Sequence, residues 1–325
     1  MHVHIVSGIF VADHDFKTRN LQQTMETLLA EGLSQRGVHV TTGGHSLTDR
    51  WRADVVHVHH LANACIRLLA PTRTPVVFTR HATKEIPWHH RMVLAGTYRN
   101  ASAIVALSDV EARGLSQAVS TSKIKRIYNG TDRTYFPLVR RERPRGRWRL
   151  LYVGQLIELK RVDVAIRLIS ALIASGIDAE LDIISHRPTL QNDLRLLATE
   201  LGIADRVRFL GPHTRSELGA AMSEAHVLLL PSRTEALPTV VTEAVFSGLP
   251  VVSFDVGGVA EQLPSGVQLP EPNDVDAFER VARKLLEDYE GVVSTFVRHS
   301  EFARQRFSVD AMVDAHLKMY KELAR

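Results

Sequence analysis

Two glutamates, Glu235 and Glu243, stand eight positions apart in the segment PSRTEALPTVVTEAVFSGLPVVSFDVGG (231–258). Ionised carboxylates only accept hydrogen bonds, which suits them to the hydroxyl groups of a sugar. The spacing alone does not identify a site, because a chain with this many glutamates contains such pairs by chance. The alternative is that Glu235 caps a helix and Glu243 points into solvent. The surrounding sequence therefore has to decide between the two.

A helix that begins beside the first glutamate would provide a binding site for phosphate. Pro238 suits the first turn of a helix and Gly248 suits the position after its end, which predicts a helix over 238–247. The first N–H groups of such a helix have no partner within it and attract an anion. These groups lie near Leu237, Thr239 and Val240. An anion site beside two carboxylates predicts a nucleotide-sugar site.

A lysine follows the first predicted strand of the second half of the chain. Gly154 ends that strand in YVGQLIELKRVDVAI (152–166), and Lys160 comes six residues later, where a helix opens. A lysine ammonium at such a turn can neutralise a diphosphate. The segment contains neither GxGxxG nor GxxxxGK[ST], so it indicates neither a dinucleotide fold nor a P-loop. The alternative is an exposed lysine that binds nothing.

Histidines concentrate in the first half of the chain. His57, His59 and His60 lie on one predicted strand, where the first two share a face, and a metal site there is conceivable but not favoured. His81 ends the predicted strand PVVFTRH (75–81), so it should reach the sheet edge where ligands bind. It could orient a substrate or donate a hydrogen bond at neutral pH. The alternative is a histidine that only completes the strand end.

Short apolar runs alternate with amphipathic stretches along most of the chain. The predicted strands are 2–8, 38–43, 54–60, 75–81, 103–108, 123–130, 149–154, 179–185, 207–211, 226–232 and 250–255. The predicted helices include 18–36, 109–119, 161–175, 189–201, 214–224, 238–247, 274–288, 291–306 and about 308–324. The strands are rich in Val, Ile and Leu without strict polar alternation, which is typical of sheets covered on both faces. The pattern predicts a parallel, doubly wound α/β fold.

This pattern is interrupted by PLVRRERPRGRW (137–148), which has no apolar periodicity. Its prolines, glycine and dense arginines are typical of a linker between domains. We therefore expect two Rossmann-like domains, residues 1–143 and 149–306, with the carboxyl ends of both sheets facing one cleft. Ligands bind in such crevices.

Composition narrows the class of protein. The 325 residues are 45% hydrophobic and contain one cysteine, Cys65, which fits a reducing compartment and a cytoplasmic location. We find no apolar run long enough to span a bilayer, and we expect no signal peptide. Residues 1–149 hold 22 Lys and Arg against 11 Asp and Glu, whereas residues 150–325 hold 18 against 25. The basic half suits an anionic substrate or peripheral contact with the inner membrane face, or it serves solubility alone. Nucleic acid is disfavoured, because aromatic residues total 6% and no helix-turn-helix signature is present.

Taken in order, these motifs resemble a retaining glycosyltransferase of the GT-B fold in family 4, the glycosyl transferases group 1. The matching pieces are DVVHVHH, FTRHA, ALSDVEARGL, IYNGTDRTYF, YVGQLIELKR, RVRFLG, the segment 231–258 and RFSVDAMVDAHLKMYKEL. The resemblance implies that Glu235 contacts the donor sugar, that Glu243 holds the ribose, and that His81 lies near the reacting carbon. It places Lys160 at the donor phosphates. It also implies that the last helix, about 308–325, returns to the first domain.

In two places the sequence departs from the family pattern. Gln155 stands where the family has a phosphate-binding arginine, so Arg161 or Arg80 is expected to replace that contact. The glycine-rich first loop is reduced to Gly8.

The resemblance implies an activity and its partners. We expect transfer of a sugar from a nucleoside-diphosphate donor, most simply UDP-linked, to a hydroxyl of a saccharide, lipid-linked or small natural-product acceptor. The configuration at the anomeric carbon would be retained, and no metal or other cofactor would be required. The alternatives are a sugar-nucleotide hydrolase or epimerase on the same fold, or a sugar-nucleotide-binding protein without catalysis.

Overall fold

The computed structural model describes residues 1–7, 10, 24–43, 52–60, 74–80 and 88–325. The chain forms two compact units. Unit 1 contains Met1–Gly130 and Phe307–Arg325, and unit 2 contains Thr131–Arg306. No helix in the described part of the chain is long and apolar enough to cross a membrane.

Unit 1 is built on a parallel sheet of six strands in the order β2-β1-β3-β4-β5-β6. The strands are β1 His2–Val6, β2 His39–Gly43, β3 Val55–His59, β4 Val76–Thr79, β5 Ala103–Ala106 and β6 Ile124–Arg126. In register, Val3 of β1 lies opposite Val40 on one side and Val55 on the other. Every residue of β3 and β5 is buried, as the continuous apolar runs predict.

Helices flank this sheet. They are α1 Met25–Gln35, α2 Trp88–Asn100, α3 Asp109–Ser116 and, from the end of the chain, α11 Val309–Leu323. Thr24, Ser108 and Ser308 accept hydrogen bonds from first-turn N–H groups and so fix three helix starts. Gly130 permits the close return of the chain before α11, since a Cβ atom there would lie 2.7 Å from Cα of Val309.

Unit 2 has a parallel sheet of five strands in the order β11-β10-β7-β8-β9. The strands are β7 Trp148–Val153, β8 Ala179–Ile184, β9 Val207–Gly211, β10 Val227–Leu230 and β11 Val251–Ser253. Its helices are α4 Val162–Ala174, α5 Gln191–Glu200, α6 Arg215–Glu224, α7 Thr239–Phe246, α8 Val259–Gln262, α9 Val275–Glu287 and α10 Tyr289–Arg306. The order reverses between β7 and β10, and ligands of such sheets bind at that switch point.

Two doubly wound parallel sheets confirm the predicted fold class. The segment predicted to be a linker is instead anchored on unit 2, because the Arg141 guanidinium is buried there. It donates to the carbonyls of Met222 (2.5 Å), Ala225 (3.0 Å) and Val139 (3.2 Å), and to that of Ser247. Three of these acceptors lie at the C-terminal ends of α6 and α7, which favour a cation. Unit 2 comprises Thr131–Arg306, whereas the expected second domain comprises 149–306.

Candidate functional site

A lysine and a glutamate meet at the switch point of the second sheet. Lys160 follows β7, Glu235 follows β10, and these strands are neighbours. Lys160 Nζ donates to Glu235 Oε1 at 2.6 Å, with 24% of the lysine side chain and 8% of the glutamate side chain exposed. The two residues that the sequence analysis selected from separate motifs thus form one partly buried ion pair.

Backbone contacts hold the loops that carry this pair. The N–H of Arg233 donates to the carbonyl of Leu159 at 2.8 Å, which joins the loop after β10 to the loop after β7. The N–H of Gly258 donates to the carbonyl of Ala236 at 2.7 Å. Gly257 has a φ of +54°, and a Cβ atom there would lie 2.1 Å from the carbonyl oxygen of Glu235. Only glycine fits this approach, so the position of the Glu235 loop depends on it.

Helix α7 points its N-terminus at the same edge of the sheet. Pro238 precedes its first turn, and no side chain in the described part of the chain caps that turn. The alternative in which Glu235 caps the helix is therefore wrong, because its carboxylate contacts Lys160 instead. Gln262 Nε2 donates to the Pro238 carbonyl at 2.9 Å and so holds the first turn in place. Leu237 and Pro238 are buried, whereas Thr239 and Val240 are half-buried. The open first turn can receive an anion.

The loop after β7 is shaped by a buried tyrosine. The Tyr152 hydroxyl donates to the carbonyl of Gln155 at 2.9 Å. A Cβ atom on Gly154 would lie 2.7 Å from that hydroxyl, so glycine leaves room for it. Burial, and then the charge of Glu235, raises the pKa of Tyr152 well above its usual value. The phenol therefore stays protonated and serves as a donor that shapes the loop.

The two arginines expected to replace the missing phosphate contact are engaged elsewhere. Arg161 donates to Asp163 Oδ1 at 3.3 Å and to Asn273 Oδ1 at 3.2 Å. Arg80, in unit 1, bonds to the hydroxyl of Tyr98, whose pKa is raised by burial although this bond lowers it. Within the described part of unit 2, the Arg161 guanidinium has Asp163 and Asn273 as its hydrogen-bond partners.

The second glutamate is buried beside a cation that the sequence analysis missed. Only 3% of the Glu243 side chain is exposed, so the alternative of a solvated carboxylate is wrong. Arg215 NH1 donates to Glu243 Oε1 at 2.5 Å, and the guanidinium carbon lies 4.8 Å from the centre of the Phe136 ring. No local signal reveals this pair, because its members come from α6 and α7.

The remaining predictions fall in unit 1. His81 and Gly8 lie outside the described residues, so their roles stay predictions. His57 is buried, with Nδ1 2.5 Å from the Tyr320 hydroxyl and Nε2 2.7 Å from Thr79 Oγ1. Among the residues that the structure describes, no group of histidine, cysteine and acidic side chains could hold a metal ion.

A second polar group, also missed, lies at the switch point of the first sheet. Glu26 is buried and accepts a hydrogen bond from Ser7 Oγ at 3.2 Å, and His60 Nε2 lies 3.1 Å from the same carboxylate oxygen. Ser7 follows β1 and His60 follows β3, between which the strand order reverses. His60 has a φ of +68°, and a strained conformation of this kind often accompanies function.

Sequence comparisons agree with the arrangement in unit 2. The profile of the glycosyl transferases group 1 family matches residues 139–305, and that of glycosyltransferase family 4 matches residues 45–135. Glycogen synthase of Mycobacterium tuberculosis is 28% identical over 316 residues, which cover 91% of this chain and 74% of that protein. D-inositol 3-phosphate glycosyltransferase of Saccharomonospora viridis is 30% identical over 296 residues, which cover 84% of this chain and 66% of that protein.

Solved structures share the fold at low sequence identity. Sucrose-phosphate synthase from Thermosynechococcus elongatus superposes with a TM-score of 0.82 at 18% identity, covering 99% of each chain. HepE from Anabaena, solved in complex with UDP-glucose, has a TM-score of 0.79 at 18% identity and covers 99% of this chain and 100% of its own.

Proposed function

Because this chain belongs to the glycosyl transferases group 1 family and is a glycosyltransferase, we propose that its donor is a UDP-linked sugar and that transfer retains the anomeric configuration. The observation that carries the proposal is the Lys160–Glu235 pair beside the uncapped N-terminus of α7. The UDP-glucose bound to HepE supports the choice of donor. Retention is what the family resemblance implies.

The lysine and the helix have one electrostatic task in this proposal. Lys160 Nζ has three N–H donors, of which Glu235 takes one, so two remain for the donor diphosphate. The open first turn of α7 adds backbone N–H groups for the same charge. When the bond between the anomeric carbon and the diphosphate oxygen breaks, negative charge grows on the departing group. Preorganised donors at this point lower the barrier.

The glutamates orient the donor. Glu235 accepts hydrogen bonds from sugar hydroxyls while it holds the lysine in place. Glu243, fixed by Arg215, is assigned to the ribose hydroxyls. The acceptor oxygen forms its bond to the anomeric carbon on the face that the diphosphate leaves, and its proton passes to a diphosphate oxygen. His81 is assigned to the sugar near the reacting carbon, and Gly8 and Gln155 to the donor.

The proposal assigns the neutralisation of the diphosphate to the lysine and the helix, so it includes no resident metal or other cofactor. Turnover is therefore expected to be unchanged by a chelator. The acceptor is proposed to be a hydroxyl of a saccharide or of a phosphorylated polyol, since the relatives are named for glycogen and for inositol 3-phosphate. We also propose that the protein acts in the cytoplasm.

Binding and turnover with matched variants test this function. Wild-type protein should bind UDP more tightly than GDP and transfer glucose from UDP-glucose to glycogen or inositol 3-phosphate, with an α-linked product by NMR. Lys160→Ala should lower kcat about 100-fold or more. Lys284→Ala, which removes an exposed lysine on α9, should leave kcat unchanged.

Two outcomes would contradict the proposal. Full activity of Lys160→Ala would remove the assignment of the site. Free glucose or an isomerised donor as the main product, with acceptor present, would favour a hydrolase or an epimerase.

A further inference from the structure

A cavity of about 460 Å³ lies in unit 1, between α2 and the segment that leads into β6. Arg91, Ala95 and Arg99 of α2 line it at successive spacings of four residues, so they share one helix face. The small side chain of Ala95 leaves the gap between the two arginines. Lys123 and Ser120 line it from the β6 side.

The floor of the cavity is apolar. Leu94 is buried in the core beneath α2 and α3, and Tyr98 and Val119 pack against that core. All three side chains line the cavity. A ligand here would therefore meet cations at the rim and hydrocarbon below. The volume falls in the range of about 300–1,000 Å³ that is usual for small-molecule sites.

Among the residues that the structure describes, the cations of this cavity have no acidic neighbour in its lining. Within the described part of the chain, Arg91 and Arg99 have no carboxylate and no hydrogen-bond acceptor. By contrast, Arg36 in the same unit contacts both Asp310 and Asp314. Like charges in a concave surface of low dielectric raise the local concentration of anions.

Lys123 adds a third positive charge to the lining of the cavity. Its Nζ donates to the main-chain carbonyl of Arg99 at 2.9 Å, which holds the segment before β6 against the end of α2. One N–H of the ammonium is used in this way and two are left. Two guanidinium groups and an ammonium are the donors that recognise phosphate.

We propose that this cavity binds a phosphate-bearing ligand whose remaining part lies on the apolar floor. None of the described residues that line this cavity is assigned to the sugar donor. The phosphate could belong to a free phosphorylated molecule or to a lipid headgroup, because both offer the same anionic oxygens. The inference does not depend on the identity of the sugar donor.

The test measures inorganic phosphate binding by NMR, at the amides of Ala95 and Ser120, with the donor site saturated by UDP. Arg91→Ala/Arg99→Ala should weaken phosphate binding at least tenfold. Arg52→Ala/Arg113→Ala removes two exposed arginines of unit 1 that are not among the lining residues, and should change phosphate binding less than twofold. Ala95→Phe fills the gap at an exposed position without changing the charge, and should also weaken binding at least tenfold.

Vesicles separate the two sources of phosphate. Sedimentation with phosphatidylglycerol vesicles but not phosphatidylcholine vesicles, abolished by Ala95→Phe, would assign the cavity to a lipid headgroup. Phosphate binding without sedimentation would assign it to a free phosphorylated molecule. The proposal is overturned if the wild type binds neither probe, if Ala95→Phe binds as the wild type does, or if both double variants lose binding equally.

Discussion

The Glu243 carboxylate depends on a charge supplied by another helix. Both side chains of the pair are largely buried, with 18% of Arg215 and 3% of Glu243 exposed. An ion removed from water in this way is stabilised mainly by its partner, so loss of the partner leaves an uncompensated buried charge. The pair should therefore behave as one unit in mutagenesis.

A double-mutant cycle tests this coupling. Arg215→Ala should lower the free energy of unfolding by about 3–5 kcal/mol. Arg215→Ala/Glu243→Gln should recover at least half of that loss, because the amide is neutral. Urea unfolding at neutral pH gives these values, and Arg167→Ala, an exposed arginine on α4, is the control. Additive effects of the two substitutions would show that the pair is not coupled.

At the scale of residues, sequence patterns identified the groups that follow parallel strands. Lys160 and Glu235 were predicted because the carboxyl ends of neighbouring strands meet at one edge. Arg215 was not predicted, since nothing in the local sequence tells which side chain reaches across from one helix to the next. Glu26 was missed for the same reason: the burial of a glutamate in the first turn of α1 depends on two other strand ends.

At the scale of elements, Arg141 joins the ends of two helices. Its carbonyl acceptors have no other partner within α6 and α7, since the last carbonyls of a helix are left unpaired. Burial lowers the pKa of the guanidinium to about 10, and it remains charged at neutral pH. Charge density and prolines made this segment resemble a free linker, and only the tertiary structure reveals the buried position.

Arg141→Ala should destabilise unit 2 by about 3 kcal/mol or more, because the carbonyls of Met222 and Ala225 lose their side-chain donor at once. Arg140→Ala, one residue earlier and exposed, should change the free energy of unfolding by less than about 0.5 kcal/mol. Urea unfolding measures both. Equal and small effects would mean that the segment contributes no anchoring.

The packing of α11 within unit 1 should depend on pH through His316. This histidine is buried, its Nδ1 lies 2.8 Å from the Met312 carbonyl, and His57 and Tyr320 face it with ring centres 5.4 and 5.8 Å away. Burial lowers its pKa to about 4. The unfolded chain takes up this proton near pH 6.5, whereas the folded chain does so near pH 4. His316 therefore does not lower the free energy of unfolding above about pH 6.5, and it lowers this free energy as the pH drops towards 4.

The lowered pKa of His316 corresponds to a loss of at most about 3 kcal/mol in the free energy of unfolding at low pH. His316→Phe removes the titrating group, so the loss of unfolding free energy between pH 7.5 and 4.5 should be about 1–3 kcal/mol smaller than in the wild type. Urea unfolding across this range provides the comparison. Parallel pH profiles for the two proteins would assign the acid sensitivity to other groups.

Sequence patterns predicted the strands better than the helices. The strands of both sheets were predicted closely, because a strand buried on both faces appears in the sequence as a continuous apolar run. Helix α2, WHHRMVLAGTYRN, was not identified, since its apolar residues form a narrow and interrupted stripe. Its exposed face, with Arg91, Ala95 and Arg99, is the one that lines the cavity of unit 1.

At the scale of the whole molecule, two sheets of similar topology carry different charges and different chemistry. The groups assigned to the diphosphate all lie in unit 2, which holds 22 Lys and Arg against 24 Asp and Glu, whereas unit 1 holds 18 against 12. The net charge of unit 2 therefore does not attract an anion, and binding depends on local donors: the open turn of α7 and Lys160. A ligand that binds only the folded state of one unit stabilises that unit selectively.

Hydrogen exchange with and without UDP tests whether the nucleotide stabilises unit 2 selectively. A concentration of 100 times Kd adds about 2.7 kcal/mol to the unit that binds. Amides in 154–160 and 233–243 should therefore exchange more slowly by up to about 100-fold, and those of β3 and α11 should change little. Lys160→Ala should reduce the protection, while Lys284→Ala should preserve it. Because exchange reports each segment separately, equal protection of β3 and α11 would contradict the assignment of the diphosphate-binding groups to unit 2.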